Sequence, residues 1–265
     1  MIVHNLDPVF FDFGFIQIRW YSLAYIFGIL IGWLYGKKIL TKQVSQNNTK
    51  IYLSKYDDLI TYIIVGIIVG GRLGYVLFYN LNFYLENIFE ILKVWKGGMS
   101  FHGGLIGVVV SILIFSKKNN LDYMIYFDTV STVAPIGLFF GRISNFINGE
   151  LYGIPTLKPW GVIFPKIDSI PRHPSQIYEA LLEGVVLFII LNLLTFLWRS
   201  SAGFISCTFL VLYGFFRIIC EKFREPDNHI GYVLGDFTIG TILSVIMIFF
   251  GLALFLRIKY ANKNK

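Results

Sequence analysis

The sequence predicts an all-α, polytopic membrane protein with seven transmembrane helices and long connections on its outer side. Hydrophobic residues make up 55% of the 265 residues, charged residues make up 15%, and the mean hydropathy is +0.65. A soluble domain cannot cover its surface with so few charges. The apolar residues form solid runs and do not alternate with polar ones, which favours helices over a transmembrane barrel.

Seven runs are long enough, or nearly so, to cross about 30 Å of hydrocarbon. They cover residues 20–40, 58–78, 99–116, 122–141, 176–198, 203–221 and 236–257. The first run lacks a small-residue cleavage site, so we expect a retained helix and not a signal peptide. N-caps are expected at Asp57, Asp122 and Asp236, which precede runs two, four and seven. We expect residues 1–265 to form a single integral-membrane domain.

The lysines and arginines outside the runs predict the orientation. With the N-terminus outside, the inner segments hold twelve cations: Lys37, Lys38, Lys42, Lys50, Lys55, Lys117, Lys118, Arg199, Arg257, Lys259, Lys263 and Lys265. The longer outer segments hold nine: Arg19, Lys93, Lys96, Arg142, Lys158, Lys166, Arg172, Lys222 and Arg224. The higher inner density predicts an outer N-terminus and an inner C-terminus. The net charge of +7 therefore reflects membrane loops, and no nucleic-acid partner is expected.

Glycines recur at four-residue spacing within three of the runs. Such spacing predicts close helix packing in a membrane and carries little chemical information. The positions are Gly28, Gly32 and Gly36; Gly66, Gly70 and Gly74; and Gly137 and Gly141.

Ionisable residues inside apolar runs are costly, so each is a functional candidate. Arg72 lies in run two, where it could instead snorkel to the surface or form a structural ion pair. Tyr213, Arg217 and Glu221 lie in run six at i, i+4 and i+8, and therefore share one helical face. Arg217 and Glu221 either neutralise each other or leave guanidinium donors for a phosphate.

Two outer segments concentrate polar groups. His102 lies among glycines at the outer end of run three, and histidine ordinarily titrates near neutrality, as a general base must. A histidine at such a helix start is also often only a cap. Residues 141–153 place Arg142, Asn145 and Glu150 at the outer end of run four. On a helix Arg142, Asn145 and Gly149 share a face, whereas in a loop backbone N–H groups would join them around an anion.

A third segment, residues 172–179, opens run five with the sequence RHPSQIYE. A helix start attracts anions, but the segment could equally be a cap and a hinge. The chain carries no zinc motif and no carboxylate cluster suited to catalytic Mg²⁺, so no metal and no cofactor is expected. A site built from these residues must use Arg, His, Tyr, Asn and Glu.

These motifs identify the chain as similar to the bacterial prolipoprotein diacylglyceryl transferases. The resemblance rests on WY from Trp20, GGRLGYVLFY from Gly70, GGMSFHGGLIG from Gly97, GRISNFINGELYG from Gly141, RHPSQIYE from Arg172 and YGFFRIICEKFREPD from Tyr213. These stretches occur in the family's order across most of the chain.

The resemblance implies an enzyme that moves the diacylglyceryl group of phosphatidylglycerol onto the lipobox cysteine thiol of a prolipoprotein signal peptide. The product would be a thioether, with release of glycerol phosphate. It also implies seven spans in the bacterial inner membrane and a periplasmic N-terminus. The family's important positions fall here on Tyr21, His102, Arg142, Asn145, Glu150, Gly153, Tyr213, Arg217 and Glu221.

Physical chemistry suggests how such a site would work. The leaving phosphate gains negative charge in the transition state, which Arg142 and Arg217 are suited to stabilise. Asn145 and Tyr213 would orient the headgroup or the phosphate, and His102 is the candidate base for the thiol. Two other classes stay open from the residues alone: a protein that binds or transports an anionic lipid, and a membrane protease that cleaves signal peptides. The protease would need a nucleophile or an acid pair, and the sequence offers neither.

Overall fold

The computed structural model describes residues 2–14, 17–198, 201–226, 232–235 and 237–263. It is mainly helical, which confirms the predicted fold class. The α-helices within these residues are α1 (Trp20–Gln43), α2 (Gln46–Tyr79), α3 (Leu81–Glu86), α4 (Phe101–Asn119), α5 (Tyr123–Asn148), α6 (Ser175–Glu179), α7 (Leu187–Leu197), α8 (Phe204–Glu221) and α9 (Ile239–Lys263). A π-helical turn, Ala180–Val186, joins α6 to α7, so Ser175–Leu197 forms one continuous span.

In the described part of the chain, short strands lie before α1 and in the connections between later helices. They are β1 (Ile2–Val3), β2 (Val9–Asp12), β3 (Gln17–Arg19), β4 (Val162–Ile163), β5 (Pro171–Arg172), β6 (Tyr232–Leu234) and β7 (Phe237–Thr238). Strand β4 pairs in parallel with β1 and antiparallel with β5, while β2–β3 and β6–β7 are antiparallel pairs. The sheet β1–β4–β5 ties the connection after α5 to the N-terminal segment.

Six helical segments of the described chain are long and apolar enough to cross a membrane. They are Trp20–Gln43, Gln46–Tyr79, Tyr123–Asn148, Ser175–Leu197, Phe204–Glu221 and Ile239–Ala261. The third predicted run, 99–116, corresponds to α4, which has 19 residues and ends near Lys117 and Lys118. Helix α4 is not among the six, so the count of seven spans stays a prediction.

Helix starts differ from the sequence expectation in one case. Helix α2 begins at Gln46, with Ser45 at its N-cap, so the expected cap at Asp57 is wrong and Asp57 lies inside the helix. The polar stretch before run two contains neither proline nor glycine, so the helix continues through it beyond the apolar residues. Asp122 does cap α5, since its Oδ1 accepts a hydrogen bond from the Met124 amide at 2.9 Å. Asp236, Arg199 and Lys265 lie outside the described residues.

The chain divides into two compact units. The first comprises Met1–Gln43 and Asp128–Lys265, and the second comprises Val44–Phe127. Helix α1, helix α5 from Asp128 onward and helices α6 to α9 therefore belong to the first unit. Helices α2 to α4 and the first turn of α5 belong to the second.

In the second unit, α2 and α4 pack through the predicted glycines. A Cβ atom on Gly70 would overlap the carbonyl oxygen of Gly103 and the Cα of Gly107, and Gly66 lies equally close to Gly107. Such contact between backbones is what small residues at four-residue spacing permit in a membrane. The glycine pattern of run two is thus explained by packing.

Arg72, the charged residue of run two, is also explained within the second unit. Its guanidinium donates to the carbonyl oxygens of Glu90 at 2.5 Å, Ile91 at 2.8 Å and Gly97 at 2.5 Å, and lies 5.0 Å from the centre of the Tyr84 ring. The side chain is 4% exposed. Arg72 therefore holds the segment after α3 against α2 through carbonyl groups, which differs from both the snorkelling and the ion-pair interpretations.

In the first unit, Asp128 anchors the start of α8 to α5. Its carboxylate accepts from the Gly203 amide at 2.7 Å, the Ser206 amide at 2.8 Å and the Ser206 hydroxyl at 2.6 Å. The positive end of the α8 dipole stabilises this buried anion. The pairing fixes the two helices that carry the arginines of the candidate site.

The glycine contact between α2 and α4 predicts that Gly70→Ala lowers stability. The added methyl meets backbone atoms that cannot rotate away, and overpacking of this kind costs about 1–3 kcal/mol. Gly104→Ala is the matched control, because the nearest atom to its Cβ is 3.7 Å away and alanine is the better helix former by up to about 1 kcal/mol. Thermal unfolding in detergent should show a lower midpoint for Gly70→Ala only. Equal midpoints for the two variants would contradict the close contact.

Candidate active site

Two arginines and two glutamates meet inside the first unit. Arg142 comes from the last turns of α5, Arg217 from α8, Glu179 from the end of α6 and Glu183 from the π-helical turn. Glu179 lies between the guanidinium groups: one carboxylate oxygen is 3.1 Å from Arg142 Nη1, and the other pairs with Arg217 Nη1. Glu183 Oε2 lies 3.0 Å from Arg142 Nη2 and 3.3 Å from its Nε.

Glu221 extends this set of charges toward α9. Its Oε2 lies 2.8 Å from Arg217 Nη2, as the i, i+4 spacing predicts, and its Oε1 accepts a hydrogen bond from the Thr238 hydroxyl at 2.9 Å. Thr238 ends β7, directly before α9. We call Arg142, Glu179, Glu183, Arg217 and Glu221 the arginine–glutamate network.

The arginine–glutamate network is buried. Glu179 and Glu183 are 0% exposed and Arg217 is 8% exposed, while the Arg142 side chain keeps 15% exposure. Buried charges are tolerated only when they are paired and hydrogen-bonded. Removing one partner would leave its neighbours uncompensated, so the network strongly constrains α5, α6, the π turn and α8.

Tyrosines lie beside the two arginines. Tyr213 is one helical turn before Arg217 on α8 and stacks on Phe209, with ring centres 5.6 Å apart. On α1, the Tyr25 hydroxyl lies 3.5 Å from the Tyr21 hydroxyl, and Tyr25 is close enough to Arg142 to interact with its charge. Tyr21, which only the resemblance indicated, is thus connected through Tyr25 to the surroundings of Arg142.

The segment after Arg142 combines the two arrangements that the sequence left open. Helix α5 continues to Asn148, and the chain then turns at Gly149, whose φ of +71° favours glycine. Glu150 folds back over the helix end: its amide donates to the Asn145 carbonyl at 2.9 Å. Its carboxylate accepts from the side-chain amides of Asn145 at 3.4 Å and Asn148 at 3.3 Å.

Residues 172–179 support this turn. The Ser175 hydroxyl donates to the Leu151 carbonyl at 2.8 Å, and the Gln176 side-chain amide donates to the Glu150 carbonyl at 2.6 Å. Gly153 donates its amide to the His173 carbonyl at 2.9 Å, and a Cβ there would overlap that carbonyl and the one of Phe223. Gly153 therefore has a structural reason to be glycine, beside the binding role that the resemblance implies.

Arg172 binds its own loops. It pairs with Asp168 at 2.6 Å and Glu225 at 3.2 Å, donates to the Gly153 carbonyl at 3.2 Å, and stacks against the Tyr152 ring. Hydrogen bonds from Arg172 and from the Ile170 amide lower the pKa of the Asp168 carboxyl. Arg172 thus acts as a clamp between connections, which fits the cap-and-hinge interpretation of its segment.

His102 lies in the second unit, as the second residue of α4, where it is exposed. Ser100 caps this helix, with its hydroxyl accepting from the Gly103 amide at 3.2 Å. The other eight residues that the resemblance indicated are in the first unit. The proximity of His102 to the arginine–glutamate network stays a prediction.

The sequence reasoning assigned no role to Glu179, Glu183 or Asp128, although Glu179 lies in the segment 172–179 that it singled out. Each is an ionisable residue inside or at the edge of an apolar run, so the rule that singled out Arg217 would have found them. Glu179 and Glu183 are also four residues apart, and π turns often mark functional sites. The signal was therefore present, but it did not reveal which arginines these carboxylates face.

Comparison with known proteins places this arrangement in a family. The family model described as prolipoprotein diacylglyceryl transferase matches residues 8–257, which include every residue of the arginine–glutamate network. The chain belongs to this family. It is therefore a transferase, and with its apolar helices it is a multi-pass bacterial membrane protein.

Relatives match the transferase over nearly its whole length. The phosphatidylglycerol–prolipoprotein diacylglyceryl transferase of Rickettsia felis is 49% identical over 253 residues, covering 95% of this chain and 96% of the relative. The protein of the same name from Rickettsia typhi is 49% identical over 260 residues, covering 97% and 99%. The one from Azospirillum brasilense is 49% identical over 251 residues, covering 93% and 92%.

Proposed function

We propose that the transferase moves the diacylglyceryl group of phosphatidylglycerol to the lipobox cysteine thiol of prolipoproteins. The thiolate attacks the lipid carbon, an S–C bond forms, and the C–O bond to the phosphate breaks. The products are a thioether-linked peptide and glycerol phosphate, and the thiol proton passes to a base. This would be the first step of lipoprotein maturation.

One observation carries this proposal: two guanidinium groups on different helices converge around one buried carboxylate. Phosphate esters are good ligands for such planar, charged donors. Charge that develops on the leaving phosphate is stabilised most strongly where water is excluded. Arg142 and Arg217 would therefore bind the headgroup phosphate and stabilise it as it leaves, while Tyr213 and Glu221 orient the Arg217 face of the site.

The remaining residues are assigned supporting roles. Asn145, Glu150 and Tyr21 would contact the polar glycerol of the headgroup, and Gly153 would keep the loop that carries Glu150 in place. His102 is proposed as the base that takes the thiol proton. A nearby guanidinium also lowers the pKa of a cysteine thiol, so the base contributes less than the arginines.

We further propose that both compact units act together as one transferase domain in the bacterial inner membrane, without a cofactor. The N-terminus would be periplasmic and the C-terminus cytoplasmic. This orientation puts the outer end of α5, with Arg142, on the side where exported prolipoproteins arrive.

A single assay tests the proposed reaction against its alternatives. Purified protein is incubated with phosphatidylglycerol and a lipobox peptide, and the mass of the peptide is measured by mass spectrometry. A mass increase by one diacylglyceryl group supports the transferase. Lipid binding with an unchanged peptide supports a binding or transport protein, and a shortened peptide supports a protease.

Arg142→Ala and Arg217→Ala are each expected to abolish or nearly abolish transfer in that assay. Loss of one charge-assisted partner in a dry site costs about 3 kcal/mol, on the order of a hundredfold in rate. Lysine at either position should rescue poorly, because an ammonium cannot reproduce the planar fork. Membrane-inserted variants that keep activity within a few-fold of wild type would remove both arginines from the site.

His102→Gln is expected to lose most activity near neutral pH and to recover as pH rises. Activity should recover because the substrate cysteine loses its proton to solvent, without a base, as pH approaches the ordinary cysteine pKa of about 8.5. Initial rates from pH 6 to pH 9 would measure it. Arg142→Ala is the control, since its missing charge does not return at high pH. A deficit in His102→Gln that is constant across this range would contradict the role as a base.

Reporter fusions test the orientation and the number of spans together. A reporter after Lys265 should be cytoplasmic, and reporters inserted near Asn87 or Ile167 should be periplasmic. Seven crossings put the two ends of the chain on opposite sides, whereas six would put them on the same side. A periplasmic reporter after Lys265 together with a periplasmic reporter near Asn87 and a cytoplasmic one near Ile167 would therefore show that α4 does not cross.

A further inference from the structure

The arginine–glutamate network carries more negative than positive groups. Two guanidinium cations face three carboxylates, so the fully ionised network has a net charge of −1. The headgroup of phosphatidylglycerol carries a phosphodiester anion. Bringing that anion into the buried site without any other change would make the net charge −2. The low effective dielectric of a buried site makes this unfavourable.

The donors of Arg142 that suit a phosphate are already occupied. The Nε and Nη2 groups of Arg142 form the parallel edge that matches two phosphate oxygens, and both donate to Glu183 Oε2, at 3.3 and 3.0 Å. The remaining terminal nitrogen, Nη1, faces Glu179. A phosphate can take the parallel edge of Arg142 only if Glu183 leaves it.

Glu183 and Glu179 contact different parts of the two arginines. Glu179 uses both of its oxygens to bridge Arg142 and Arg217. Glu183 uses one oxygen for Arg142, and its other oxygen lies 3.5 Å from Arg217 Nη1. Displacement of Glu183 therefore leaves the Glu179 contacts to both guanidinium groups in place, whereas displacement of Glu179 would leave only the longer Glu183 contact to Arg217.

The surroundings of Glu183 decide what happens to it once displaced. Helix α5 presents Arg142 to it, α8 presents Tyr213, Arg217 and Cys220, and its own helix presents Glu179. Glu183 is 0% exposed. A carboxylate that loses its guanidinium partner in such a place is stabilised by taking up a proton, since burial disfavours the charged form.

We propose that Glu183 is a proton-coupled placeholder: it occupies the Nε/Nη2 edge of Arg142 in the free enzyme and yields it to the lipid phosphate on becoming protonated. One proton from solvent forms an O–H bond on the Glu183 carboxyl for each headgroup bound. The net charge of the arginine–glutamate network, counted with the phosphate, then stays at −1. Glu183 is a positioning residue in this scheme, and the inference rests on the proposed binding of phosphatidylglycerol.

Calorimetric titration of the detergent-solubilised full-length protein with phosphatidylglycerol tests the inference. Two buffers of different ionisation enthalpy are compared at pH 8, since the difference in binding heat gives the number of protons taken up. Wild type is expected to take up about one proton per lipid bound, and its affinity should fall about tenfold per pH unit above neutrality. Glu183→Gln should take up none and bind with an affinity that is independent of pH.

Glu225→Gln is the matched control, because it makes the same chemical change at an ion pair with Arg172 outside the network. It should keep the wild-type proton uptake. If Glu183→Gln does not fold, two wild-type measurements test the inference. They are the two-buffer titration and an infrared difference spectrum between lipid-bound and free enzyme. A new band from a protonated carboxyl is expected in that spectrum.

The outcomes separate this inference from the proposed function. Lipid binding and thioether formation without proton uptake would overturn the placeholder role and leave the transferase reaction standing. Proton uptake that persists in Glu183→Gln would also overturn it. Absence of both phosphatidylglycerol binding and peptide mass gain would instead refute the proposed function.

Discussion

The bridging of Arg142 and Arg217 by one buried carboxylate, Glu179, is the interaction on which the rest of the site depends. The two guanidinium charges repel each other, and each costs free energy to bury. Glu179 offsets both costs by pairing with the two guanidinium groups at once. The bridge therefore holds the end of α5, the end of α6 and the middle of α8 in one arrangement.

The surrounding structure fixes each end of that bridge. Asp128 pins the start of α8 to α5 through three hydrogen bonds, and Glu221 links the far end of α8 to Thr238 before α9. Arg217 consequently lies between two anchored points on the same helix. This rigidity matters for chemistry, since groups that stabilise developing charge must be in place before the charge appears.

The turn after α5 adds polar groups to this charged centre. Glu150 is held over the end of α5 by Asn145, Asn148 and Gln176, through side-chain and backbone hydrogen bonds. Arg172 fastens the neighbouring connections to each other outside the network. A charged centre within the helices and a hydrogen-bonding rim above it match a ligand with a phosphate and a polar glycerol, joined to apolar chains.

The sequence by itself determined the helical membrane fold, the packing glycines and the spacing that pairs Arg217 with Glu221, because these follow from local periodicity and composition. Motif similarity also indicated Arg142, Asn145 and Glu150. The sequence did not predict the extent of α2, because a helix can extend beyond its apolar residues. It did not predict the partners of Arg72 either, because backbone carbonyl acceptors have no sequence signature. Only the tertiary structure decided that Glu179 and Glu183 face both arginines. Those residues lie on three separate helical segments, and the balance of buried charge that joins them is a property of their packing and not of any single helix.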